Sequence, residues 1–189
     1  MLKKFSLCLV AVIFFFSTSA TVSAEPLYNG SPESLLSALQ KVAAEYKIKF
    51  WGMKKNDYKI SVNYGSSESN EIRIFSSHNK SKSVSFVSLS FDTTESEVTS
   101  FNNGADSGIL LASVLINSGA SRDGIQKFWA EYMKYASDLN YRIVNNKSIS
   151  RSKLNKTFKV DCKSQNKVIY VELHINEYGG VQFIVTPYK

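Results

Sequence analysis

The chain has 189 residues, of which 43% are hydrophobic and 21% charged, with a formal net charge of +7. This composition excludes a disordered or collagen-like chain, and the length suffices for one domain with its own core. The basic excess favours anionic partners mildly and says nothing about fold.

Lys3 and Lys4 precede an almost wholly apolar run from Leu7 to Phe16, and small residues ending in Val22-Ser23-Ala24 follow. These are the three parts of a secretory signal, with cleavage expected near Ala24. The run breaks at Ser17-Thr18-Ser19, short of the roughly 20 apolar residues that a spanning helix needs, so it reads as a targeting segment and not an anchor. Cys8 follows Leu7, where lipidation would require a small residue. Residues 25–189 then form one extracytoplasmic domain, periplasmic or released, with 21 basic and 16 acidic side chains, a net of +5. Cys162 is its single thiol, so no internal disulfide contributes to stability.

Ser31-Pro32-Glu33 is a helix start: a hydroxyl cap, a proline at the first turn, and an acid at the positive end of the dipole. Leu35, Leu39, Val42 and Tyr46 recur at helical spacing and carry this helix to about Tyr46. Lys47 to Lys59 interleaves basic and aromatic residues and reads as a connection, either a solvated loop or a contact segment for an anionic surface. Tyr58, Ile60, Val62 and Tyr64 then alternate as a half-buried strand. A polar turn at 65–70 leads to a second strand carrying Ile72 and Ile74. In a third strand, Ser83 to Phe91, the apolar parity slips between Phe86 and Val87, as a bulge would produce.

Residues 92–105 read as a polar linker with acids at Asp92, Glu95 and Glu97, and a short buried helix is predicted over about 106–118, closing at Gly119. Ser121 caps the next helix, whose stripe of Ile125, Phe128, Trp129, Tyr132, Ala136 and Leu139 is core packing rather than a cofactor contact. Three more alternating strands follow. They place Phe158, Val160 and Cys162, then Ile169, Val171, Leu173 and Ile175, then Val181, Phe183 and Val185 on the apolar side.

The expected fold class is therefore α+β: two helix-plus-three-stranded antiparallel meander repeats, about 31–92 and 121–187, with the helices packed on one face of the sheet. This element order resembles the tandem helix-and-sheet modules of exported inhibitor proteins such as the β-lactamase inhibitory protein, and the small extracytoplasmic PepSY-type domains. The likeness covers most of residues 25–189 and implies architecture alone, because fold does not carry function.

No motif assigns a catalytic residue, a metal or a cofactor. Cys162 and His174 would make a nucleophile pair only if they faced each other, and strand parity sends them to opposite sides of the sheet. His78 stands among Ser and Lys, no acid-rich loop has calcium spacing, and the glycines form no phosphate-cradling loop.

Two groups remain as candidate binding residues. Arg73, Phe75, Tyr170, Glu172, His174 and Ile184 fall on the parity opposite the core and mix aromatic, apolar and charged groups, as interface centres do. Trp51, Lys54 and Lys55 stand in the basic aromatic segment, echoed by Lys147, Arg151, Lys153, Lys156 and Lys159 in the second half. The expected function is a non-enzymatic binding module recognising a protein partner or an anionic envelope surface, with nucleic acid disfavoured by export. A secreted hydrolase with its site between the halves, and a structural envelope protein, stay open as alternatives.

Overall fold

The structure is a computed structural model and describes residues 25–76, 83–94, 96–145, 154–164, 166–176 and 179–187. Residues 1–24, where the sequence predicts a targeting segment, His78, Glu95 and the basic residues Lys147, Arg151 and Lys153 lie outside the described residues.

Helix α1 (Pro32–Glu45) begins where the sequence places it: the Ser31 hydroxyl accepts the Ser34 amide at 3.2 Å. Its buried stripe is Leu35, Leu36, Leu39 and Ala43, each leucine contributing about 1.5–3 kcal/mol of transfer free energy. The helix ends in a Schellman arrangement. The Ile48 amide donates to Ala43 O at 2.8 Å and the Lys47 amide to Ala44 O at 3.3 Å. The residue that makes this turn is Lys47, at φ 61°, where glycine is the usual occupant.

Seven antiparallel strands form one sheet: β1 (Phe50–Lys55), β2 (Lys59–Tyr64), β3 (Glu71–Ser76), β4 (Val84–Asp92), β5 (Lys156–Asp161), β6 (Val168–Ile175) and β7 (Gly180–Thr186). Their order across the sheet is β1-β2-β3-β4-β7-β6-β5, so the third and last strands of the two meanders pair at the centre. Six strands were expected; the seventh is β1, built from the basic aromatic segment that the sequence presents as a connection. It escapes pattern reading because it is an exposed edge strand bulged between Trp51 and Lys54, where Gly52 adopts φ 62°. The irregularity in β4 lies earlier than the parity slip expected between Phe86 and Val87: the register shifts between Phe86, opposite Phe75, and Val84, opposite Ser76, so Phe86 and Val84 fall on opposite faces.

One face of the sheet is continuous apolar surface. Ile60 faces Ile74, Ile72 faces Leu89, Leu89 faces Phe183, and Leu173 completes that row. Helix α2 (Glu97–Asn117) packs on β4 and against α1, while α3 (Arg122–Val144) packs on β5. Phe128 of α3 meets Phe158 edge-on with ring centroids 5.3 Å apart, and Tyr132 lies 5.8 Å from Phe183, geometries that add about 0.5–1.5 kcal/mol per pair beyond burial. Gly124 lets α3 approach β5: a Cβ there would stand 2.3 Å from Asp161 O.

Helix α2 corrects the expected short helix at 106–118: it starts at the Ser96 cap and its first half occupies much of the polar stretch 92–105. The inward positions of that half are Asn103 and Ser107, both buried and polar, so no apolar stripe announces it. They are satisfied by a network instead. The Asn70 amide donates to Asn103 Oδ1 at 2.8 Å, Ser107 Oγ donates to Asn103 O at 2.6 Å, and the Tyr64 hydroxyl lies 2.5 Å from Ser107 Oγ and 3.0 Å from Ser90 O.

Candidate functional site

Because side chains alternate along each strand, fixing the apolar face toward the helices fixes what the other face carries. Among the described residues no helix covers that second face. Its first row runs Lys59, Phe75 and Phe86 on β2–β4, and Tyr170 and Lys159 on β6 and β5. Thr186 joins them opposite Tyr170. The second row holds Ser61, Arg73, Ser88, Ile184, Glu172 and Thr157. The third holds Asn63, Glu71, Ser90, Gln182 and His174. All six residues expected on this face, Arg73, Phe75, Tyr170, Glu172, His174 and Ile184, therefore stand on it.

The centre of the face is aromatic and its charges are paired. Phe75 and Phe86 stack with centroids 4.1 Å apart and planes 15° from parallel. Arg73 Nε donates to Glu71 Oε2 at 2.7 Å, and His174 Nε2 lies 3.3 Å from Glu172 Oε2. Both pairs are partly exposed, so each is worth at most about 1 kcal/mol and can exchange for a partner's charge at little cost. Over the β4–β7 join lies a shallow groove of about 360 Å³ bordered by Arg73, Asp92, His174 and Gln182.

Two hydroxyls near this groove, those of Ser90 and Ser88, are committed elsewhere. Ser90 Oγ donates to Glu71 O at 3.4 Å, and Ser88 Oγ accepts from Gln182 Nε2 at 2.7 Å, so neither is aimed at His174 as a nucleophile would be. Cys162 packs against the helix-side core, and burial pushes its thiol pKa up. His174, by contrast, belongs to the open face and the far end of β6, so the two residues make no dyad. Among the described residues no three His, Cys, Asp or Glu gather as a metal site would need, and no helix is long and apolar enough to cross a membrane.

Trp51, Lys54 and Lys55 do not act as one group. Trp51 pairs with Asn63 and Lys54 with Ser61, on the open side, whereas Lys55 pairs with Ile60 and reaches α1 to bind Glu33 at 2.5 Å. The hydrogen bond from Lys55 lowers the Glu33 carboxyl below the usual range.

Trp51 lines a second concavity, of about 580 Å³, at the edge of the sheet. Lys47, Lys49, Gly65, Ser66, and Asn102 and Asp106 of α2 line it with Trp51. Sequence reasoning found Trp51 but not this cleft, since its walls come from three separate segments. It also passed over Phe86, whose place beside Phe75 depends on the bulge position.

No protein-family model and no curated protein matches the chain.

Proposed function

We propose that this chain is an exported binding module whose open sheet face docks one protein partner, with an apolar centre seated on Phe75, Phe86, Tyr170 and Ile184 and acidic groups at its rim. The observation that carries this reading is the first row of the face, aromatic in the middle and ended by Lys59 and Lys159 on opposite flanks. The Phe75–Phe86 stack supports the sheet as a cross-strand pair, yet both rings stay only half-buried, and aromatic residues with arginine are the side chains enriched at interface centres. The flanking lysines supply charge complementarity, which steers encounter and selects an acidic rim.

The face draws on two similar halves, and we read these as a duplicated unit. In support, β2–β3–β4 and β5–β6–β7 are each antiparallel meanders preceded by a helix, and their final strands pair with each other. Under this reading Lys59 and Lys159 are equivalent positions, and the face is pseudo-symmetric about the β4–β7 join. Export rests on the signal pattern of residues 1–24; a secreted chain beginning at Glu25 supports it, and one beginning at Met1 refutes it.

The docking test uses Arg73→Ala combined with Tyr170→Ala. Both side chains lie outside the core, so circular dichroism and melting temperature should stay near the parent's while the partner recovered from native envelope extract is lost. Equal recovery by the folded double variant would refute the docking face.

A further inference from the structure

The edge cleft is chemically unlike the open face, and it is built at a local cost. Lys47 holds the left-handed conformation at the C-terminal turn of α1, which costs an L side chain about 1–2 kcal/mol and glycine nothing. Gly65, at φ 68°, forms the floor: a Cβ there would come within 3.0 Å of Asp106 Oδ2 and 3.2 Å of Asn70 Nδ2. The same Asn70 side chain carries a buried Oδ1 with no hydrogen-bond partner among the described residues. A left-handed lysine and a glycine whose Cβ position is crowded by polar groups therefore meet in one cleft.

The walls are charged but not paired with each other. Among the described residues no ion pair joins Asp106 to Lys47 or Lys49. Burial pushes the Asp106 carboxyl above the usual range. Both lysines and Asp106 line the same cleft without an ion pair between them, and its volume of about 580 Å³ has small-ligand size.

We propose that this cleft binds an acidic sugar residue, its pyranose ring against the Trp51 indole, its carboxylate toward Lys47 and Lys49, and its hydroxyls toward Ser66, Asn102 and Asp106. Each group has one matching chemistry. An indole presents a flat apolar platform to the C–H face of a ring. Two ammonium groups bind a carboxylate through charge-assisted hydrogen bonds. A half-buried carboxyl and an amide on one helical wall accept from and donate to neighbouring hydroxyls. A bare phosphate fits worse, because Asp106 opposes a dianion and the cleft meets the middle of α2 instead of its N-terminus at Glu97. Trp51 stands at the margin of the open face, beside Asn63, but no residue lining the cleft belongs to the three rows of the docking face.

The test is calorimetric titration of the purified protein with tri-galacturonic acid, maltotriose, inorganic phosphate and an acidic tetrapeptide. Tri-galacturonic acid should bind saturably, and the other three about tenfold or more weaker. Trp51→Ala should weaken binding about tenfold or more, as loss of an aromatic anchor does. Lys49→Ala should weaken it and flatten its salt dependence. Lys47→Gly is the sharpest variant, because relieving the left-handed lysine should raise the melting temperature while binding falls. Arg73→Ala with Tyr170→Ala should leave the titration unchanged, which keeps this site's failure distinct from that of the docking face. Absence of saturable tri-galacturonate binding, equal binding of phosphate or tetrapeptide, or full affinity in Trp51→Ala or Lys47→Gly would overturn the proposal.

Discussion

Tyr64→Phe removes one oxygen from the interior and leaves the ring in place. The Tyr64 hydroxyl lies 2.5 Å from Ser107 Oγ and 3.0 Å from Ser90 O, and the residue is fully buried. Burial also drives the phenol's pKa upward, so the hydroxyl is neutral and available as a donor at every working pH. Its loss leaves a hydroxyl and a carbonyl short of a partner, at roughly 0.5–1.5 kcal/mol for each hydrogen bond, or about 2 kcal/mol together. For a domain of this size that lowers the melting temperature by about 4–8 °C. The assay is thermal unfolding followed by circular dichroism, with urea unfolding for the free energy. Ser107→Ala in the Tyr64→Phe background should cost less than Ser107→Ala alone, because the shared hydrogen bond is already gone. A melting temperature unchanged within about 1 °C, or two losses that add within about 0.3–0.5 kcal/mol, would refute the claim that this network fastens α2 to the sheet.

Gly124→Ala should be among the most destabilising single-methyl changes, since its Cβ would stand 2.3 Å from Asp161 O, a backbone atom that cannot swing aside. Overpacking costs about 1–3 kcal/mol, and a melting temperature equal to the parent's would show that α3 does not seat this closely. For Asp106, burial raises the folded-state pKa, so the folded chain binds more protons than the unfolded one between the usual aspartate value and the raised value. Stability therefore falls as pH rises through that window. Asp106→Asn should melt higher than the parent at pH 7, with the gain fading as pH drops below the usual aspartate range; a gain of equal size at pH 3 would contradict this. Cys162, raised by burial, should react with a disulfide reagent at neutral pH more slowly than free cysteine and catch up in urea. Labelling at the free-cysteine rate in the folded protein would count against its packing beside the core.

What was legible in the sequence follows from periodicity. Ile72 and Ile74 against Arg73 and Phe75, and Val171 and Leu173 against Tyr170, Glu172 and His174, sort correctly because a period of two survives unbroken through β3 and β6. Strand β1 left no such trace, since Gly52 breaks its alternation and neither face of Phe50-Trp51-Gly52-Met53-Lys54-Lys55 is fully buried. The first half of α2 hid for the opposite reason: its inward side chains, Asn103 and Ser107, are polar and rely on Asn70 and Tyr64, which are distant in sequence. The β4–β7 join and the cleft around Gly65 depend on contacts between separated segments, and local pattern cannot register those.

The docking face is tested most directly by a photo-crosslinking amino acid placed at Phe86, at the aromatic centre, and for comparison at Met133 on the exposed side of α3. In native cells the account predicts a crosslinked species of discrete mass from position 86, absent from position 133, and lost when Lys59→Glu and Lys159→Glu are added. Crosslinks of equal yield from position 133, or none from position 86, would contradict it.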